Sequence, residues 1–391
     1  MIYCLYKIEY DGDNMEKIRV FETFSGIGAQ NKALKNSKLK YEVVATSDWF
    51  IDAILAYDAI HCKKKKIKVP SYEEQLKYLE KFTFSNDSVK PCTNLSKKRP
   101  EEIEKLYIAN KRTKNLGSIT EIHAKDIPSH DLLTYSFPCQ DLSTGGKTKG
   151  MKKGSGTRSG LLWEIERILS ELNEENRLPK YLLMENVKAI LAPSNKKDFE
   201  MWQEFLKGLG YKNEVMVLSG IYFGVPQDRA RCFMVSILGD EEPHIEEKLK
   251  KTLYPVEDID KFLRTDYSNE IYKKEADEAQ LPKTVSREVM WEINKRDINK
   301  LTYFNTITCN MDRQNNAGMI LYDGPKGDSY RLLTAREAFL LMGFSEKDYE
   351  NVKELGLSYR KTIKLAGNSI VVPVLEAIFK AMFEEDKNDE D

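Results

Sequence analysis

Hydrophobic positions along the first 240 residues alternate between short runs typical of buried strands and amphipathic stretches typical of helices. The pattern predicts strands over 18–24, 42–46, 131–136, 180–184, 213–218 and 231–237. It predicts helices over 29–37, 51–60, 160–173 and 198–209. Because strands and helices alternate, we expect an α/β fold with a mostly parallel sheet and helices on both faces.

This rhythm is lost over residues 240–300, which carry 16 Asp/Glu against 12 Lys/Arg. Helical character returns over 334–342 and again near the C-terminus, where the chain is expected to pack back on the sheet. We therefore expect two domains. One is formed by 1–237 together with 331–391, and a smaller one spans 238–330.

Composition places the 391-residue chain among soluble globular enzymes. Hydrophobic residues make up 41% and charged residues 31%, and the opening segment is too short and too polar for a secretory signal. The six cysteines include no Cys-x-x-Cys pair and the four histidines are dispersed, so we expect reduced thiols, no metal site and a cytoplasmic location. The net charge is -1, but residues 62–116 carry 15 Lys/Arg against 7 Asp/Glu. We interpret 62–116 as a basic insertion.

A glycine turn follows the first predicted strand. Gly26 and Gly28 suit a close backbone approach to a nucleotide-like ligand, although a tight strand-to-helix turn would need them as well. Asn31 stands where a dinucleotide fingerprint has its third glycine, which disfavours a dehydrogenase. Asp48 ends the next strand and could bind ribose hydroxyls or cap the following helix, and Trp49 could lie against an adenine.

Cys139 comes directly after a predicted buried strand, at the edge where open α/β sheets bind ligands. A cysteine in this position is either a nucleophile or a small buried hydrophobe. The following stretch, 144–160, carries six glycines and five Lys/Arg without an acidic residue. Such a stretch fits either a basic lid that closes over a polyanion or an ordinary linker.

Five short segments in one order resemble the DNA (cytosine-5)-methyltransferase family of the prokaryotic and phage restriction-modification type, and the resemblance covers nearly the whole chain. They lie at 24–28, 136–140, 185–187, 227–231 and 366–369. The resemblance implies a Rossmann-like S-adenosylmethionine-dependent methyltransferase domain, with 238–330 as a target-recognition domain. It also implies transfer of a methyl group to C5 of a flipped-out cytosine in a specific short duplex DNA sequence.

The chemistry of cytosine explains why such an enzyme needs these residue types. C5 attacks a methyl sulfonium only after a thiolate has added to C6, and the resemblance assigns Cys139 as this nucleophile. The addition places charge on the ring, so an acid near N3 and a cation near O2 lower the barrier. The family pattern assigns Glu185 to N3 and Arg231 to O2, with Arg229 in support. From the residues alone, a helix-terminal carboxylate and structural arginines stay open as alternatives.

The resemblance also carries over contact residues for two ligands. Contacts with S-adenosylmethionine are expected at Phe24, Gly26, Ile27, Gly28, Asp48, Trp49, Ser118, Ile119, Pro138, Leu161, Asn368 and Ile370. Contacts with DNA are expected at Gln140, Ser143, Lys147, Arg158 and Thr306. Ser118 departs from the family, which usually has Asp there to contact the adenine amino group.

Double-stranded DNA is the expected partner of a monomer in a prokaryotic cytoplasm, and a cognate restriction endonuclease is a candidate second partner. An RNA (tRNA) cytosine-5 methyltransferase would use the same parts, but the family's tRNA-directed branch carries a Cys-Phe-Thr tripeptide that this sequence lacks. A non-catalytic DNA-binding regulator would be expected to have lost Cys139, Glu185 or Arg231, and all three are present. The insertion 62–116 is either a DNA clamp, which we favour, or a solvated lysine-rich face.

Overall fold

A central sheet organises the part of the chain that the computed structural model describes, namely residues 17–62, 66–138, 159–250, 254–280, 282, 284–293, 302–309, 311, 319–326 and 330–384. The strands are β1 Ile18–Thr23, β2 Tyr41–Ser47, β3 Leu132–Tyr135, β4 Tyr181–Val187, β5 Tyr211–Leu218, β6 Gln227–Asp228, β7 Arg231–Leu238, β8 Phe304–Asn305, β9 Ile320–Leu321 and β10 Tyr330–Arg331. Six of them form one sheet in the order β2-β1-β3-β4-β7-β5.

The sheet is parallel in one half and antiparallel in the other. β1 lies parallel to β2 on one side and to β3 on the other, and β3 lies parallel to β4. β7 then runs antiparallel to both β4 and β5. The predicted α/β class is confirmed. The alternation of strands and helices did not predict the antiparallel half. It arises because β5 and β7 are joined without the long crossover that a parallel pair requires.

Strand β4 is longer than the predicted strand over 180–184. Its pairing with β7 continues to the end, with Glu185 opposite Phe233 and Val187 opposite Arg231. Backbone hydrogen bonds between β4 and β7 hold Glu185 and Arg231 in extended conformation. Glu185 therefore lies inside a strand and has a backbone position fixed by hydrogen bonds.

Helices follow the strands as the periodicity predicts. They are α1 Ala29–Asn36, α2 Ile51–Tyr57, α3 Tyr72–Leu79, α4 Pro100–Arg112, α5 Leu162–Glu174, α6 Pro193–Gly208, α7 Ile245–Lys250, α8 Glu270–Ala279, α9 Val285–Ile293, α10 Ala335–Leu341, α11 Glu346–Lys353, α12 Tyr359–Gly367 and α13 Val372–Phe383. α6 begins well before the predicted residue 198, because Pro193 occupies the first helical turn, where its fixed φ favours a helix start.

Successive residues of the parallel strands enter two different hydrophobic cores. Val20 and Leu132 belong to one core and Phe21 and Leu133 to the other, because neighbouring side chains of a strand point to opposite faces. The first core includes α1 and α13, and the second includes α5 and α6. Burial on both faces explains why these strands read as continuous apolar runs.

The basic insertion has a hydrophobic core of its own. Helices α3 and α4 pack on each other and α4 packs on α2, and the buried residues of the insertion include Leu79, Phe84, Ile103 and Leu106. A solvated lysine-rich face would not bury these side chains. The insertion is therefore a folded layer, and its end is attached to β2, where Thr46 pairs with Asn115.

The region after β7 packs against the C-terminal helices. α7 contacts α13, and Ile259 and Leu263 lie in the same hydrophobic core as α10–α13. By length and composition alone, the stretch Tyr359–Phe383 could cross a membrane, but 72% of an apolar 18-residue part of it is buried within the protein, as in core helices. A separate domain over 238–330 stays a prediction.

A buried ion pair joins β10 to α10. Arg331 donates two hydrogen bonds of 2.8 Å to the carboxylate of Glu337, and both side chains have 0% exposure. Glu337 also accepts from the backbone N–H groups of Arg264 and Thr334, and the Nε of Arg331 donates to the hydroxyl of Tyr267. These bonds offset the loss of hydration that burial imposes on both charges.

Replacing Arg331→Met should leave the Glu337 carboxylate buried without its countercharge, and we expect a loss of about 3–5 kcal/mol in the free energy of unfolding. Urea denaturation followed by circular dichroism measures this loss. The matched control is Glu204→Gln, which removes an exposed ion pair with Lys207 on α6 and should change stability by less than about 1 kcal/mol. Similar effects from the two variants would contradict the assignment of Arg331–Glu337 as a structural pair.

Candidate active site

A cleft of about 570 Å³ opens at the carboxyl edge of the parallel strands. Its walls come from the segments that follow β1, β2 and β3 and from the end of β4. The chain leaves β1 toward β2 on one side, while β3 lies on the other side. Ligands of open α/β sheets bind at such a switch in strand order, so the cleft is the candidate active site.

The turn after β1 is held against the end of β2 by Asp48. Its carboxylate accepts from the backbone N–H of Gly26 at 2.9 Å and from that of Phe50 at 2.8 Å. Gly26 has a φ of 54°, a conformation that glycine adopts without a Cβ penalty. The backbone of Asp48 is fixed in turn by the side-chain amide of Asn115. Burial raises the pKa of the Asp48 carboxyl, and these backbone N–H groups act in the opposite direction.

Gly28 serves packing below the cleft. Its φ is 77°, and a Cβ at this position would lie 2.5 Å from His61 Nε2 and 2.7 Å from a ring carbon of Tyr57. The hydroxyl of Tyr57 donates to the buried carboxylate of Glu22 at 2.6 Å. The side-chain amide of Asn31 donates to the same hydroxyl at 2.7 Å. From the sequence, the glycine at position 28 is expected to allow close approach of a ligand. In the structure, the close packing of His61 and Tyr57 already requires a glycine there.

Glu185 and Arg231 face each other within the cleft. The carboxylate of Glu185 lies 3.4 Å from Nε of Arg231, and their side chains are 12% and 14% exposed. Burial raises the pKa of the Glu185 carboxyl, while the positive charges of Arg231 and Arg229 oppose this rise. A raised pKa keeps a larger fraction of a carboxyl protonated near neutral pH, which is the state of a general acid.

Cys232 lies next to this pair but is unsuited to nucleophilic chemistry. It is buried in the core between the sheet and α5–α6. Burial, with the negative charge of Glu185, raises the pKa of its thiol to about 12. A thiol with such a pKa stays protonated and inert at neutral pH.

Arg229 ties distant segments together at the floor of the cleft. It is 5% exposed, and its guanidinium donates to the carbonyl of Ile307 at 2.7 Å and to those of Gly367 and Ser369 at 2.8 Å. These bonds bring 367–369 to the cleft, where Asn368 contributes to the lining. Arg229 thus has a tethering role in addition to lining the site.

Two hydrogen bonds fix the chain immediately before Cys139. The side-chain amide of Asn186 donates to the carbonyl of Phe137 at 3.0 Å, and the hydroxyl of Ser159 donates to that of Pro138 at 2.8 Å. Phe137 and Pro138 both line the cleft. The position of Cys139 in sequence therefore follows directly on two cleft residues that are held in place.

Most of the residues predicted from the sequence meet in this one cleft. Those lining it are Phe24, Gly26, Ile27, Asp48, Trp49, Ser118, Ile119, Pro138, Leu161, Glu185, Arg229, Arg231 and Asn368. Those placed elsewhere are Gly28, the buried Ile370 and Thr306, whose hydroxyl donates to the carbonyl of Asp228. Those outside the described residues are Cys139, Gln140, Ser143, Lys147 and Arg158.

Sequence reasoning missed a set of lining residues from the insertion and its neighbourhood. They are Phe50, Ala53, Thr83, Ser88, Val89, Pro91, Thr120 and Glu121. Phe50 and Glu121 lie within two residues of predicted contacts, so a wider window around those motifs would have found them. The residues between 83 and 91 carry no motif, and only the folded chain brings them to the cleft.

The two ends of the cleft offer different chemistry. One end lies by β4 and β7, which carry Glu185 and Arg231. The other lies by β1 and β2, which are followed by Gly26 and by Asp48 and Trp49. A carboxylate, a flat ring and a close backbone turn are the groups that bind a nucleoside, and the cleft has the size usual for a small-molecule site.

The sheet order and the cleft at its carboxyl edge define the Rossmann-like methyltransferase class. The chain belongs to the C-5 cytosine-specific DNA methylase family, whose model matches residues 92–384. It is thus a DNA (cytosine-5) methyltransferase, as its motifs predicted. The family's description names DNA, which supports DNA as the substrate over the tRNA-directed alternative.

Relatives agree over nearly the full length. The chain is 39% identical over 388 residues to the orphan methyltransferase M.SssI of Spiroplasma monobiae, covering 93% of this chain and 96% of that protein. It is 34% identical over 371 residues to the type II methyltransferase M2.ScrFI of Lactococcus lactis subsp. cremoris, covering 94% and 99%. The crystal structure of the S. pombe Dnmt2 methyltransferase superposes with a TM-score of 0.62 at 19% identity, covering 94% of this chain and 99% of that one, which supports the fold.

The buried carboxyl of Glu22 should make stability depend on pH. Burial raises its pKa from 4.5 to about 7. The stabilising protonated form is fully present below pH 4.5 and is lost as pH rises through about 7, at a cost of about 3 kcal/mol. Glu22→Gln stays neutral, so its unfolding free energy relative to the native protein should rise by this amount between pH 4.5 and pH 8.

Urea titrations at several pH values measure the difference. The exposed α4 residue Glu101 provides the control variant, Glu101→Gln, which should show no such pH dependence. A difference between native and Glu22→Gln protein that is the same at every pH would contradict burial of an ionisable carboxyl beneath the glycine turn.

Proposed function

We propose that the protein transfers a methyl group from S-adenosylmethionine to C5 of a flipped-out cytosine in a specific short duplex DNA sequence, through a covalent bond between Cys139 and C6. The observation that carries this proposal is the single cleft in which Glu185 and Arg231 share walls with Pro138 and Trp49. The reaction needs four groups close together: an acid, a cation, the nucleophile and a surface that binds a nucleoside. The cleft brings together the acid, the cation, the residue before the nucleophile and such a surface.

S-adenosylmethionine fits the end of the cleft near the glycine turn. Trp49 and Ile119 offer apolar surfaces for an adenine, and Asp48 lines the cleft where ribose hydroxyls would be expected. Phe24, Leu161 and Asn368 would complete this part of the site. When bound, the cofactor supplies an electrophilic methyl group.

The residues at the other end would act on the cytosine ring. Addition of the Cys139 thiolate at C6 forms a C–S bond and moves an electron pair toward N3. Glu185, whose pKa is raised by burial, would donate a proton to N3, and Arg231 would stabilise charge at O2. Transfer of the methyl group to C5 would release S-adenosylhomocysteine. Loss of the C5 proton to water, release of the thiolate and return of the N3 proton to Glu185 would then restore the aromatic ring.

DNA must present the base outside the helix, because C5 and C6 are covered in a stacked duplex. We propose that the DNA is contacted by Gln140, Ser143, Lys147, Arg158 and Thr306, and that 238–330 supplies target recognition. Thr306 directly follows β8. β8 pairs with β6, and β6 ends at Asp228, next to Arg229. This pairing joins the proposed recognition region to the segment that carries Arg229 and Arg231. We further propose a cytoplasmic monomer that acts beside a cognate restriction endonuclease.

Expression in a bacterial host without cytosine methylation tests the reaction. We expect 5-methylcytosine at one recurring short sequence throughout the host genome, detected by single-base methylation sequencing. A host that makes soluble protein but keeps an unmethylated genome would contradict methylation of DNA. Parallel sequencing of the host RNA would then test the tRNA alternative.

A duplex containing 5-fluorocytosine at the target base tests the covalent step. The assay includes S-adenosylmethionine, because the adduct is trapped only once C5 has been methylated. Fluorine cannot then leave C5 as a proton does, so the native protein should remain joined to the DNA after denaturation. Cys139→Ser should form no such complex. Cys92→Ser is the matched control, since Cys92 is a partly exposed cysteine outside the cleft lining, and it should be trapped like the native protein. Trapping of the Cys139→Ser variant would rule out Cys139 as nucleophile.

The same assay separates acid catalysis from binding. Glu185→Gln should slow adduct formation by about 10²- to 10⁴-fold, the usual contribution of general acid–base catalysis. Its affinity for the unmodified duplex, measured by fluorescence anisotropy, should change little because the amide keeps the shape of the side chain. An adduct rate equal to that of the native protein would remove Glu185 from the proposed mechanism.

A further inference from the structure

Part of the basic insertion forms a wall of the cleft. Within the segment 83–91, Thr83, Ser88, Val89 and Pro91 line the same cavity as Trp49 and Ile119. The segment stands between α3 and α4, whose helices supply the insertion's own core. It therefore belongs to a folded layer and not to a free surface loop.

Backbone hydrogen bonds attach the segment to the residues after β2. The N–H of Ser85 donates to the carbonyl of Trp49 at 2.6 Å, and the N–H of Ile51 donates to the carbonyl of Ser85 at 3.0 Å. Phe50 and Ser85 are thus paired as in a parallel ladder. The segment extends the wall that Trp49 begins.

A second attachment reaches the loop that carries Ser118 and Ile119. The ring of Phe82 packs on Gly117, where an added Cβ would lie 3.2 Å from it. The hydroxyl of Thr83 donates to the carboxylate of Glu121 at 2.5 Å, and its N–H donates to the other carboxylate oxygen at 3.3 Å. Both residues of the Thr83–Glu121 pair line the cleft.

A third attachment comes from α12. The ammonium group of Lys364 donates to the carbonyl of Asp87 at 2.6 Å and to the hydroxyl of Ser88 at 2.8 Å. The same group lies 4.6 Å from the ring centre of Phe50. The 83–91 segment is therefore anchored on three sides around the end of the cleft that contains Trp49.

We propose that the 83–91 segment is part of the cofactor site and covers the adenosine end of S-adenosylmethionine. The inference rests on the proposed function, and it assigns the segment a role that differs from a DNA clamp. Val89 is 54% exposed although it lines the cleft, so a bound adenosine would cover apolar surface that is now open to water. Lys90 is the single Lys/Arg of the insertion that falls within 83–91, so the charge expected of a clamp lies elsewhere.

Isothermal titration calorimetry with S-adenosylhomocysteine tests the proposal without catalysis. Val89→Ser removes the apolar contact at an exposed position, and we expect about 4- to 15-fold weaker binding from the loss of one or two buried methyl groups. Val69→Ser is the matched control, because Val69 is a 40% exposed valine of the same insertion outside the cleft lining. It should bind the ligand like the native protein.

Duplex DNA affinity, measured on the same proteins, separates the two roles of the insertion. Weakened S-adenosylhomocysteine binding with unchanged DNA affinity in Val89→Ser supports the cofactor wall. Unchanged S-adenosylhomocysteine affinity in Val89→Ser, with or without weaker DNA binding, overturns it. If the native protein fails to bind S-adenosylhomocysteine at all, the proposed cofactor is wrong and this inference fails with it, whereas native binding with an unaffected variant refutes the inference alone.

Discussion

The closure of the cleft depends on one buried cation, the guanidinium of Arg229. It donates hydrogen bonds to carbonyls of Ile307, Gly367 and Ser369, which are 78 to 140 residues away along the chain. A guanidinium presents five N–H donors in a rigid plane, so one side chain can satisfy several backbone oxygens together. The parallel strands open the cleft at one edge of the sheet, and Arg229 brings the C-terminal part of the chain back to that edge.

Strand β4 lies between the parallel and the antiparallel half of the sheet. Its parallel neighbour β3 leads toward Pro138, and its antiparallel neighbour β7 carries Arg231. Glu185 lies opposite Phe233 of β7, one residue beyond the last β4 residue that pairs with β3. The change from parallel to antiparallel pairing therefore occurs at the strand that carries the acid, and it places a cation from the antiparallel half beside it.

The sequence allowed the sheet edge and most of the site to be predicted because local patterns specify them. Strand ends are visible as apolar runs, and Asp48 and Glu185 follow or end such runs on strands whose carboxyl ends share one edge. The direction of β7 could not be predicted, since an apolar run reads the same in either direction. Thr83 and Val89 could not be found either, because their place in the cleft depends on long-range backbone bonds such as that between Ser85 and Trp49.

The bond between Ser159 and Pro138 gives a residue outside the cleft lining an influence on the site. These residues are 21 positions apart, yet they meet at one point beside the cleft. Pro138 follows Phe137, whose carbonyl accepts a hydrogen bond from Asn186, the neighbour of Glu185. An exchange of Ser159 for alanine in a homologue would therefore loosen a wall of the cleft without altering any residue that lines it.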